Sequence, residues 1–67
     1  MTRKDYQLIA KAIKESREYF AKEYAGDNIR DGVTQLALGN LHNKLIDALQ
    51  QDNPRFNSAI FEKACGY

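Results

Sequence analysis

The sequence predicts an all-α fold: an antiparallel two-helix hairpin plus a short C-terminal latch helix, three helices within one helical domain spanning residues 1–67. Three observations lead there. Apolar residues recur at helical spacing through two long stretches, and nothing alternates with period two over a strand-like length. Gly26 and the Asn53-Pro54 pair interrupt the pattern where helices end. The closing run Asp52–Tyr67, DNPRFNSAIFEKACGY, then carries the start and stop signals of a third, short helix.

The first segment opens with Thr2 as N-cap and Asp5 three residues on, a capping-box spacing with Asp in place of Glu. From there to about Tyr24, Tyr6, Ile9, Ile13, Phe20 and Tyr24 fall on one face, with Ala10 and Ser16 beside them. The pairs Lys11/Glu15, Lys14/Glu18 and Glu18/Lys22 stand four apart and add local support. Gly26 ends the helix, and Asp27 to Gly32 read as a loop with Ile29 tucked inward.

The second helix is expected from about Asp31 to Gln51. Its stripe is Leu38, Leu41, Leu45, Ala48 and Leu49, opposite Asn40, Asn43, Asp47 and Gln50. Asn53-Pro54 breaks it, because the residue before a proline is driven out of the α region.

The latch is expected to consist of Phe56, Asn57, Phe61, Gly66 and Tyr67. Asn57 stands as N-cap, aimed at the N–H of Ala59 or Ile60. Phe56 before the cap and Phe61 within the helix have hydrophobic-staple spacing. Gly66 takes the left-handed position after the helix, and Tyr67 folds back on Phe61 in a Schellman-type ending.

Some apolar residues fit neither main face. Leu8, Ala12 and Tyr19 lie about 100° from the centre of the first helix's main face, and Val33, Leu36 and Ile46 lie off the second helix's stripe. Gly39, near Ile46, leaves room for close backbone approach. A latch of roughly eight residues spans only about 12 Å, too little to cover both shoulders. Leu8, Ala12, Tyr19, Leu36, Gly39 and Ile46 are therefore the candidate partner interface. A two-fold homodimer is the expected assembly, with Leu36 and Ile46 as the preferred shoulder.

Composition narrows the chemistry. Ten basic residues face nine acidic ones, and residues 31–52 carry one basic and three acidic side chains. This is a mild charge asymmetry without the basic patch that dominates nucleic-acid binding. One cysteine, Cys65, allows no intrachain disulfide, and one histidine, His42, allows no Cys/His zinc site within a chain. A lone thiol fits a reducing compartment. With no basic-then-apolar leader and no apolar run long enough for a bilayer, the expectation is a soluble cytoplasmic protein.

His42 reads as a half-buried packing residue at the edge of the stripe. A catalytic role would require Asp47 or Cys65 within hydrogen-bond reach. Cys65 stands at the C-terminal end of its helix, the wrong end for a stabilised thiolate, and reads as a small hydrophobe. There is no phosphate loop, nucleophile elbow or metal-ligand spacing. No catalytic residue, cofactor or metal is therefore expected, and the chain is not read as an enzyme.

The opening MTRKDYQLIAKAI and the closing DNPRFNSAIFEKACGY resemble a set of short uncharacterised proteins encoded by tailed bacteriophages and prophages. The resemblance rests on Thr2, Arg3, Lys4, Tyr6, Ile9 and Ala10 at one end. At the other it rests on Asn53, Pro54, Arg55, Phe56, Phe61, Ala64, Cys65 and Gly66. It covers both ends and not the middle. It implies a viral accessory protein acting in the bacterial cytoplasm and supplies no functional residues.

The function expected is protein–protein interaction, modulating or inhibiting a host or defence protein, with self-association. The alternative is a small DNA-binding module in which Arg3, Lys4, Lys11 and Arg55 meet phosphates. Asp52-Asn53-Pro54 between the second and third helices, and the few base-reading groups on the third, count against it.

Overall fold

The computed structural model describes residues 1–67. Its elements are α1 (Arg3–Glu23), α2 (Asn28–Asp52) and α3 (Ser58–Ala64), with no strand. The capping box at the start of α1 is closed in both directions: the Asp5 N–H donates to Thr2 Oγ1 at 3.3 Å and the Thr2 N–H to Asp5 Oδ2 at 3.0 Å. These bonds hold the Asp5 carboxyl below its usual pKa. Of the expected surface pairs, Lys11 and Glu15 meet at 3.9 Å.

The α1–α2 connection is shorter than the sequence implied. Asp27 caps α2, accepting from the Arg30 N–H at 3.0 Å, and the helix begins at Asn28 rather than near Asp31. Ile29 is therefore on a helix and stands 81% exposed, not tucked inward. Gly26, at φ 86°, makes the left-handed turn between the helices.

Tyr6 near the start of α1 accepts a hydrogen bond from Asn53 Nδ2, just past the end of α2, at 3.4 Å. Asn53 Oδ1 takes the Arg55 N–H at 3.1 Å, an Asx turn that redirects the chain around Pro54. Asn57 then caps α3 through the Ile60 N–H at 3.1 Å. The helix ends in a full Schellman pair, the Tyr67 N–H to the Glu62 carbonyl and the Gly66 N–H to the Lys63 carbonyl, each 3.1 Å. Gly66 has φ 86°, and a Cβ there would meet Arg17 Nη1 at 3.1 Å.

The core comprises Ala10, Ile46, Leu49, Phe56, Phe61 and Cys65, with Tyr6, Ile9, Ile13 and Leu45 packed against it. Phe56 meets Phe61 edge-on at 5.4 Å and Tyr6 at 5.0 Å. On α2 the expected stripe is rotated. Leu49 is buried and Leu38 and Leu45 are half-buried, but Leu41 and Ala48 are exposed and Ile46 is buried. The molecule is elongated, 40 × 18 × 14 Å, with a Cα radius of gyration of 12.9 Å, where a compact chain of this length has about 11 Å. No helix is long and apolar enough to cross a membrane.

Candidate functional site

His42, the one histidine of the chain, is the main candidate for proton transfer. It is 4% exposed, deeper than the half-buried position expected. Its ring lies between Phe61, near-parallel at 6.0 Å, and Tyr67, tilted at 4.2 Å. The acidic group beside it is Glu62, 3.7 Å from Nε2, and neither ring nitrogen has a hydrogen-bond partner. No hydrogen bond joins it to Asp47 or Cys65.

Tyr67 packs on His42, whose ring in turn stacks on Phe61. The Arg17 guanidinium lies over the Tyr67 ring at 3.8 Å and donates from Nη1 to the Cys65 carbonyl at 3.1 Å. This satisfies a carbonyl that the end of α3 leaves without an intrahelical partner. Arg17 had no local sequence signal, because its partners lie about fifty positions away. Cys65 is fully buried, and burial is the main cause that pushes its thiol pKa up. Arg17 works in the opposite direction. No group of three or more His, Cys, Asp or Glu side chains converges as a metal site would require.

The proposed interface residues separate. Leu8, Ala12, Tyr19 and Leu36 are exposed. Ile46 is not: it lies in the core with Phe61 and Cys65 and leaves the exposed set. Gly39 is half-buried, and a Cβ there would meet nothing within 4 Å, so no helix of this chain uses it for close approach.

A pattern that periodicity alone did not isolate runs along α2. Ile29, Val33, Ala37, Leu41, Leu45 and Leu49 stand four apart, so each is turned about 40° from the last. This row starts in solvent and winds into the core. Ile29, Val33 and Leu41 are 81, 65 and 58% exposed, Leu45 is half-buried and Leu49 is buried. Leu36 stands beside the exposed part at 76%. The exposed part runs into a small groove lined by Ala12, Ile13, Ser16, Leu38, Leu41 and His42, which places Ala12 of α1 alongside Leu41 of α2. On α1, Leu8, Ala12 and Tyr19 lie within about 40° of one another and roughly opposite Ala10 and Arg17, the residues that face α3.

A second, larger groove of about 560 Å³ runs along α1, α3 and the segment that joins α2 to α3. Its buried residues are Ala10, Phe56 and Phe61, and its exposed lining includes Arg3 and Arg55.

Comparison with known protein families, curated proteins and solved structures finds no match for this chain.

Proposed function

We propose that this chain is a small protein-interaction module that self-associates as a two-fold dimer. It would modulate or inhibit a host protein in the bacterial cytoplasm, as the resemblance of its two ends to short phage and prophage proteins implies. In this reading α1 and α2 form an antiparallel hairpin, α3 latches one side of it, and the opposite side receives the partner.

The observation that carries the reading is the exposed row Ile29–Val33–Ala37–Leu41. Rows of side chains four apart are the ridges that most often interdigitate between packed helices, at a crossing angle of about −50°. A polar residue at any of these positions would suit a solvent-facing helix. Four apolar ones in register, on a stretch where residues 32–43 carry no charged side chain, favour burial against another helix.

The area agrees with a second copy. The accessible surface is 5183 Å², where a compact monomer of 7.7 kDa has about 4,300 Å². The excess, on the order of 900 Å², is close to the roughly 800 Å² per partner that a standard interface buries.

Sedimentation equilibrium tests the reading. The wild-type chain is expected at twice its 7.7 kDa mass at micromolar concentration, and Val33→Asp is expected to be monomeric. A wild-type monomer at about a hundred micromolar, some −5 to −6 kcal/mol of undetected association, overturns it.

A further inference from the structure

We infer that the groove between α1 and α3 is a docking site for an acidic segment of a partner protein, one that carries a bulky apolar anchor flanked by Asp or Glu. This rests on the interaction reading above and names the chemistry of the heterologous partner. It concerns a different face from the dimer row.

The groove combines an apolar floor with charge of one sign. Ala10, Phe56 and Phe61 form the floor, and Ile60 stands exposed at the edge. Its volume of about 560 Å³ lies within the range of about 300–1,000 Å³ typical of ligand-binding clefts. Arg3 and Arg55 are the only lining residues with charged side chains, and the lining has no carboxylate.

Neither guanidinium is used by the fold. Neither forms an ion pair, and no side-chain hydrogen bond involves either. Arg3 is moreover in the first turn of α1, where the helix dipole gives a cation no favourable role. Arg17 shows the contrast: it too is an arginine of α1, but its contacts to Cys65 and Tyr67 account for it structurally.

Two unpaired guanidiniums beside an apolar floor complement carboxylates, which they can grip with paired N–H donors. An apolar side chain between those carboxylates would fill the floor, the arrangement of helix-in-groove recognition. A duplex nucleic acid offers the negative charge without the apolar anchor, so the buried floor favours a peptide.

The test titrates the full chain, by fluorescence anisotropy, into two labelled peptides of about twelve residues. Both carry Leu and Phe one helical turn apart. One has glutamates at the flanking positions and the other has lysines there. The glutamate peptide is expected to bind in the micromolar range and at least about tenfold more tightly than the lysine peptide. The double variant Arg3→Glu, Arg55→Glu, which removes no contact of the fold, is expected to keep its melting temperature and reverse the preference.

Equal affinity for the two peptides, glutamate-peptide binding unchanged in the double variant, or no binding of either peptide overturns the site. The double variant should still dimerise. Dimerisation without peptide binding sinks the groove and leaves the self-association reading standing. Peptide binding by a monomeric wild type does the reverse.

Discussion

All seven buried residues lie at position 10 or from position 42 onward, while residues 11–41 contain none. Both stretches are helical and both are rich in apolar side chains. The difference is the number of helices available. Where α3 packs onto α1, an apolar side chain can be surrounded, and Phe61, Phe56 and Cys65 close over Ala10, Ile46 and Leu49. Around the α1–α2 turn only two helices meet, and one helix can cover only part of another. Phe20 and Tyr24 there stack on each other at 5.8 Å and stay half-buried. Apolar sequence therefore becomes core at one end and surface at the other.

The largest test of that contrast is Phe61→Ala. Truncating a buried Phe costs about 3–5 kcal/mol, comparable with the whole stability of a domain this small. The variant is expected to be largely unfolded at physiological temperature by circular dichroism. Unchanged melting would mean that α3 does not hold the core together.

Asn57→Ala should cost about 1 kcal/mol, the usual value of an N-cap, and lower Tm by roughly 4–8 °C. The seven residues of α3 are too few to stay helical without cap and packing. The loss should be reported by the Phe56–Phe61 cluster as well as by the helix.

Val33→Asp probes the other end. At an exposed site the monomer should change by less than about 0.5 kcal/mol. Measured at concentrations too low for dimer, its Tm should match the wild type. A large loss would show that the turn end carries folding stability despite its exposure.

The smallest effect lies at Thr2 and Asp5. The folded pKa of Asp5 is lowered, so its contribution is present above the unfolded carboxylate pKa of about 3.9. That contribution is lost as pH falls through the folded value. Asp5→Asn should therefore melt slightly below the wild type at neutral pH and converge with it in strong acid. A gap that widens on acidification would contradict the capping bond as its source.

Local signals proved legible in proportion to how few residues they involve. Thr2 with Asp5, Asn57 with the Ile60 N–H, and Gly66 with the carbonyl of Lys63 each bond within three residues, and the sequence displays both partners. Asp27 was legible too: an aspartate after Gly26 is an ordinary N-cap. The start of α2 at Asn28 rather than Asp31, and the exposure of Ile29, both follow from that cap. The candidate sites were harder. Leu8, Ala12, Tyr19 and Leu36 are surplus to the helical stripes and are exposed, but Ile46, surplus by the same pattern, is core.

The sequence by itself determined three helices, the caps of α1 and α3 and the break at Asn53-Pro54, because those are settled by backbone geometry and neighbours a turn away. It did not determine which side of α2 is buried. Leu41 and Ile46 are equally apolar, and a helix rich in apolar residues all round offers several faces of similar hydrophobicity. Only the position of α3 decided that Ile46 is enclosed and Leu41 is left outside. The same packing set Arg17 against Cys65 and Tyr67 and brought Arg3 and Arg55 to one groove, across nearly the full length of the chain. Contacts between distant residues depend on how the helices pack, and no local pattern encodes them.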